Sequence, residues 1–125
     1  MTPDGSLPGL KLIVDAKPAG PWVVVELGGE LDVATAPAVI DQVSRLLTMV
    51  SPPRIALDLT QVTFCDSSGL NAFVRLWKRA AAAGGELVLL RPRLRVAELL
   101  TRTRVDGHVR VCEELPNVSE TEPGP

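Results

Sequence analysis

An apolar strand that runs without a linker into an amphipathic helix is the feature that most constrains this chain. It lies at Phe64-Cys65-Asp66-Ser67-Ser68-Gly69-Leu70. Upstream, Arg54 to Leu59 reads as a short strand. Downstream, Leu70, Phe73, Val74 and Trp77 recur at i, i+3, i+4 and i+7, so an acidic residue and two hydroxyls occupy a strand-to-helix turn. The first amides of such a helix lack intrahelical partners and would point towards Ser67 and Ser68. With the helix dipole they favour an anion, which suits a phosphoserine. Asp and Ser are also among the best N-caps, so spacing alone leaves capping and modification as alternatives.

The rest of the chain alternates in the same way. Leu10 to Asp15 and Trp22 to Leu27 read as strands joined by a turn at Pro18 to Pro21. Thr35 stands as N-cap of a helix with Pro37 in its first turn, and Val39, Ile40, Val43, Leu46, Leu47 and Val50 form its apolar stripe up to Ser51-Pro52-Pro53. The helix that starts at the serines runs to about Ala83, where Gly84-Gly85 stops it. Leu87 to Leu90 then reads as a strand, Leu94 to about Thr101 as a helix and Val109 to Val111 as a closing strand. Strands alternating with helices predict an α/β fold whose parallel strands are joined by helical crossovers. The two opening strands have no helix between them, so they should pair antiparallel and make the sheet mixed. Residues 1–9 and 116–125, rich in Pro, Gly and polar groups, are expected to be frayed ends around a single domain at 10–115.

Several functions are disfavoured. Thirteen Lys and Arg against fifteen Asp and Glu leave a net charge of −2, so no basic field argues for direct nucleic-acid binding. No run of about twenty apolar residues is present and the opening Met1 to Ser6 does not resemble a secretory signal, so no membrane association and a cytoplasmic location are expected. Cys65 and Cys112 are too few and too far apart for a metal site, and no cofactor is expected. In a reducing compartment they read as buried thiols, with a redox input at Cys65 conceivable because it adjoins the serines. His108, in Asp106-Gly107-His108, has no ligand partners nearby. A hydrolase elbow needs G-x-S-x-G, whereas Cys65 takes the first glycine position before Ser67. No G-x-x-x-x-G-K-[ST] run exists for a nucleotide enzyme, and no enzymatic activity is expected.

Five segments together resemble the STAS domain and, within it, the anti-sigma factor antagonists of bacterial partner-switching systems. Gly29-Glu30-Leu31-Asp32 resembles the family's G-E-L-D turn. Leu57-Asp58-Leu59 with Val62 and Phe64 resembles the strand that follows, and Asp66-Ser67-Ser68-Gly69-Leu70 resembles the phosphorylation motif D-S-[ST]-G-L. Gly84 to Leu89 and Val96 to Leu100 are similar to its later strand and last helix. The resemblance implies a single STAS domain, a mixed central sheet with helices mainly on one face. It also implies a cycle in which the unmodified protein binds a serine-kinase anti-sigma factor and so releases a sigma factor. The kinase then phosphorylates Ser67 and ends the complex, and a serine phosphatase reactivates the protein.

By the same resemblance Asp66, Ser68, Gly69 and Asp32 support the partner contact, and Arg75, nearest the serines by helical spacing, adds a candidate electrostatic contact for an acidic kinase surface. Each also has a plainer reading. Asp66 can be a cap, Asp32 an ordinary acidic residue ahead of a helix, and Arg75, with Asn71, Lys78 and Arg79, part of a solvated face; Trp77 reads as core. The chain departs from the family pattern at Cys65, at Arg91-Pro92 where Asn-Pro is usual, and at Arg104 where a glycine is usual. A left-handed conformation kept at Arg104 would cost about 1–2 kcal/mol. The alternative from another class is a STAS scaffold or accessory subunit, in a stress-sensing assembly or an ABC-type transport complex, without a phosphorylation cycle.

Overall fold

The computed structural model describes residues 13–117, so the expectations for 1–9, for 10–12 and for most of the C-terminal tail lie outside the described residues. Elements follow in the order β1 (Ile13–Ala19), β2 (Trp22–Leu31), α1 (Ala36–Met49), β3 (Arg54–Cys65), α2 (Ser67–Ala82), β4 (Glu86–Leu90), α3 (Leu94–Arg102) and β5 (Arg110–Cys112), with a single 3-10 turn at Val105–Gly107 before the last strand. The strands form one sheet in the order β1-β2-β3-β4-β5. β1 and β2 pair antiparallel, while the other three pairs are parallel and each is bridged by one helix. Helical crossovers are what parallel neighbours require, so the mixed α/β sheet is as expected.

All three helices pack into one cluster on one face. Val39, Val43 and Leu47 of α1, Leu70, Phe73, Leu76 and Ala80 of α2, and Val96 and Leu100 of α3 meet Val25, Leu27, Ile55, Leu57, Leu59, Leu87 and Leu89. The opposite face carries a smaller cluster of Trp22, Ala56, Val88 and Leu90, against which Leu115 packs. Here the indole Nε1 of Trp22 donates to the Pro116 carbonyl at 3.0 Å, and Pro116 is buried. β3 is therefore covered on both sides between Ile55 and Leu59, the pattern of a central strand.

Several boundaries differ from the sequence reading. β1 runs through Pro18 to Ala19, which pairs with Trp22, leaving only Gly20-Pro21 as the turn. Proline is tolerated because β1 is an edge strand with no further partner for the missing amide among the described residues. β2 continues through the expected G-E-L-D turn as far as Leu31, and β3 reaches Cys65 rather than Leu59. Between the pairs Glu26–Asp58 and Gly28–Gln61, and again between Gly29–Val62 and Glu30–Phe64, β3 carries one residue more than β2. These bulges let the strand absorb a polar stretch without ending. On α2 the buried stripe is Leu70, Phe73, Leu76 and Ala80, whereas Val74 and Trp77 are only half-buried. Trp77 lies at the edge, its ring centroid 6.0 Å from that of the exposed His108. Gly84 and Gly85 close α2 as expected, with Gly85 N donating to Ala80 O and Gly84 N to Ala81 O around a positive φ of 77° at Gly84.

Asp58 is the one buried carboxylate among the described residues, and it is fully engaged. Its Oδ1 accepts from the Thr60 hydroxyl at 2.6 Å and the Thr60 amide at 3.0 Å, and its Oδ2 meets Arg91 Nη2 at 3.0 Å. Arg91 also donates from Nη1 to the Glu113 carbonyl, so β3 and the segment after β5 are tied through one guanidinium. Burial alone pushes the Asp58 carboxyl up, but the Thr60 hydrogen bonds and the Arg91 charge together outweigh it and hold the group below its usual range. Arg91, at φ 49°, and Arg104, at φ 63°, are both left-handed. The family's usual residues at these places, Asn and Gly, are the ones that adopt this conformation most readily.

Two outcomes follow from these contacts. Replacing Arg104 with Gly relieves about 1–2 kcal/mol of left-handed strain against roughly 0.4–1 kcal/mol of added unfolded-state entropy. Denaturant titration of Arg104→Gly should therefore show a net gain of about 0.5–1 kcal/mol. A carboxyl held low in the folded state stabilises the fold above its unfolded pKa, and that contribution is lost as pH falls through the lower folded value. Asp58→Asn should therefore cost about 1–2 kcal/mol at neutral pH, with Arg91 half-exposed and screened. The difference from the parent should shrink on acidification below about pH 4.

Candidate functional site

The C-terminal ends of β2 and β3 lie side by side, with Leu31 in register with Cys65. Just beyond them the Asp66 amide donates to the Leu31 carbonyl at 3.2 Å, joining the two connections that lead into α1 and α2. Asp32 and Asp66 are thus neighbours of one contact although thirty-odd residues separate them in sequence.

Asp66 is the N-cap of α2. Its Oδ1 accepts from Ser68 N at 2.8 Å and from Gly69 N at 3.3 Å. The capping reading therefore holds, and two of the amides expected to face an anion are already occupied by the carboxylate. Ser67 is the first helical residue and exposed; its hydroxyl has no hydrogen-bond partner among the described residues. Ser68 is half-buried. Of the two hydroxyls, Ser67 is the one presented to an incoming group.

Gly69 has a geometric reason to be glycine. A Cβ there would lie 2.7 Å from Cys65 Sγ, 2.8 Å from Leu31 Cγ and 3.0 Å from Leu31 O, so the first turn of α2 sits directly on the ends of both strands. Gly69 is buried, and its support of the site is through packing. Cys65 lies beneath this contact, where burial first and the Asp66 charge second push its thiol up to about 12. Both effects disfavour the thiolate that a redox input would need.

Asp32 organises the other connection. Its Oδ1 accepts from Ala34 N at 2.9 Å and from Thr35 N at 3.1 Å, while the Thr35 hydroxyl donates to the Glu30 carbonyl at 2.8 Å and accepts from Asp32 N at 3.0 Å. Thr35 occupies the expected N-cap position, but its side chain makes no hydrogen bond to the helix amides. It clasps the loop to β2 instead, and Thr35 is buried as a result. Val33, at the tip of this loop, is 75% exposed.

Arg75 stands elsewhere. It lies two turns along α2, roughly 12 Å from Ser67 at 1.5 Å per residue, and lines a groove between α1 and α2 with Ile40, Asp41 and Ser44. Arg79 in the same groove donates to Ser44 Oγ at 2.6 Å. The structure brings Asp32, Asp66, Ser67, Ser68 and Gly69 together and places Arg75 on the helix-layer side. Sequence reasoning missed the Leu31 carbonyl, a backbone group without a residue signature. It also missed Phe64, which is 49% exposed beside the bulge opposite Glu30.

The STAS domain family model matches residues 14–119. Among solved structures, a candidate anti-sigma factor antagonist of Thermotoga maritima superposes with a TM-score of 0.76 at 24% identity, over 86% of this chain and 92% of that one. An anti-sigma factor antagonist of Mycobacterium paratuberculosis gives 0.75 at 21% identity over 88% and 92%. The Bacillus cell fate determinant SpoIIAA in its phosphorylated form gives 0.63 at 18% identity over 88% and 100%. At these identities the likeness is one of fold. No helix among the described residues is long and apolar enough to cross a membrane.

The contact beneath α2 is tested by Gly69→Ala. Overpacking against Leu31 and Cys65 should cost about 1–3 kcal/mol, read as a lowered denaturant midpoint. An unchanged midpoint would mean that α2 lifts from the strand ends without loss.

Proposed function

The chain belongs to the STAS domain family, and on that footing we propose that it is an anti-sigma factor antagonist whose binding is switched at Ser67. The observation that carries the reading is the exposed, unpartnered hydroxyl of Ser67 on the first residue of α2, next to an Asp66 carboxylate that is already committed to the helix. The phosphorylated SpoIIAA among its structural neighbours supports it. In this reading the unmodified protein binds a serine-kinase anti-sigma factor in the cytoplasm and frees the sigma factor which that kinase sequesters. The kinase transfers the γ-phosphoryl of ATP to Ser67 Oγ, with ADP leaving and the hydroxyl proton lost. A serine phosphatase hydrolyses the ester and restores binding. The protein itself catalyses nothing in this cycle.

Asp32 and Ser68 flank Ser67 as candidate contacts, and Arg75 offers a second, more distant one. A phosphate adds about −1.5 to −2 charges to a surface shaped around a hydroxyl. Burying that charge without a partner costs on the order of 3–5 kcal/mol, which corresponds to about two to four orders of magnitude in affinity.

The test is intact-mass analysis and site mapping after incubation with ATP, magnesium and each candidate anti-sigma kinase of the source genome, with affinity measured before and after. Ser67 should carry the phosphate and Ser67→Ala should bind without being modified. Affinity should fall about 100- to 10,000-fold on modification, with the circular dichroism spectrum unchanged. Binding by no candidate kinase would overturn the reading, and binding without modification would leave a constitutive antagonist.

A further inference from the structure

Beside the phosphorylatable serine, on the side away from α1, the end of β3 and α3 enclose a groove of about 380 Å³. Its walls and floor are Phe64, Cys65, Val96 and Leu99, and its rim carries Arg95 and Arg102. The two arginines are seven residues apart and so project from one side of α3. Neither forms an ion pair among the described residues. Only Glu98 opposes them at the rim, so this patch is locally cationic on a chain whose net charge is −2.

The groove combines a partly exposed ring with a cationic rim. The half-exposed aromatic ring, one of two phenylalanines in the chain, stands beside a bulge. Bulges are common beside functional sites. Aromatic and arginine side chains around a small apolar pocket are the residue types that dominate interface energetics. The volume lies within the roughly 300–1,000 Å³ of clefts that hold ligand groups, room for a large apolar side chain and its neighbours.

Resting on the function proposed above, we infer that this groove is the anchoring surface for the anti-sigma kinase. Its occupant is a kinase segment that presents an apolar side chain flanked by carboxylates. The apolar group fills the space between Phe64, Val96 and Leu99, and the carboxylates meet Arg95 and Arg102. Continuity with the modification site supports the assignment. Phe64 is three residues before Ser67, hence within about 11 Å along an extended chain. A segment anchored in the groove is therefore held close to the hydroxyl to be modified.

The test compares the full-length wild type with Arg95→Glu/Arg102→Glu, Phe64→Ala and Arg75→Glu, the last reporting on the groove between α1 and α2. Affinity for the kinase is measured at low and high salt, together with Ser67 phosphorylation at saturating substrate. Circular dichroism confirms that each variant is folded. The double charge reversal should weaken binding by about tenfold or more at low salt, mainly through slower association, and the deficit should shrink at high salt. Phosphorylation at saturation should be retained, so that KM rises while kcat holds. Phe64→Ala should weaken binding at both salt concentrations. A kinase that binds wild type and the Arg95/Arg102 variant equally, or that is weakened by Arg75→Glu alone, overturns the groove and leaves the proposed function standing. A wild-type protein that binds no kinase overturns both.

Discussion

The hydrogen bond from the Asp66 amide to the Leu31 carbonyl is the joint on which the site depends. It lies where two parallel strands finish together, and in open α/β sheets the C-terminal ends of strands are where binding groups collect. The bond alone would be worth only about 1 kcal/mol. What makes it decisive is the packing around it. Gly69 brings the first turn of α2 onto Leu31 and Cys65, and the same first turn is capped by Asp66. Backbone pairing, close packing and capping thus converge on a few residues, so the exposed Ser67 projects from a rigid support. The Asp32 loop is held against the same strand end by Thr35, whose buried hydroxyl reaches back to Glu30.

That rigidity extends inward through β3. Five consecutive residues from Ile55 to Leu59 are buried, with aliphatic side chains on the helix face and Ala56 and Asp58 on the other. A carboxylate in such a strand is tolerated only when its oxygens are satisfied. Thr60 and Arg91 supply that satisfaction, and Arg91 takes up a left-handed backbone while doing so. Beyond Leu59 cover remains only over Val62 and Cys65, which join the helix-side cluster, while Thr60, Gln61 and Thr63 are exposed. Local stability is therefore concentrated in the middle of the sheet, and the bulged end of β3 carries the exposed ring of Phe64.

Element order, the mixed sheet and the strand-to-helix turn at Ser67 were all legible in the sequence, because each rests on periodicity or on cap and stop residues that act locally. The strand ends were not. Gly28-Gly29 and Thr60-Gln61 look like turns, and only pairing with a neighbouring strand carries the chain through them. The stripe of α2 was read only in part: Leu70 and Phe73 are buried and Val74 and Trp77 pack half-buried against the same core. Val74 and Trp77 are strongly apolar and draw the eye, but Ala72, Leu76 and Ala80 are the more fully buried. The left-handed turn at Arg104 was visible as a departure from the family pattern, but only the backbone shows that the conformation survives without glycine. Phe64 illustrates the limit of counting by two along a strand: one extra residue in β3 breaks the alternation, and no residue type announces it.

Capping by Asp66 also bears on why a phosphate at Ser67 would act on a complex and spare the fold. A free helix N-terminus stabilises an anion by about 0.3–1 kcal/mol, but here the Ser68 and Gly69 amides already serve the carboxylate. The phosphate would therefore gain little from the helix and would meet the Asp66 charge as a neighbour. In water two like charges about 4 Å apart repel by only roughly 1 kcal/mol, so the cost to the free phosphoprotein is small. When a partner covers the site the effective dielectric falls towards about 20, and the same repulsion rises to roughly 4 kcal/mol. The penalty thus appears almost entirely on binding. On the proposed function, a cap that spends its carboxylate on the helix would make the serine a sensor of its surroundings, tolerant of phosphate in solvent and intolerant of it in an interface.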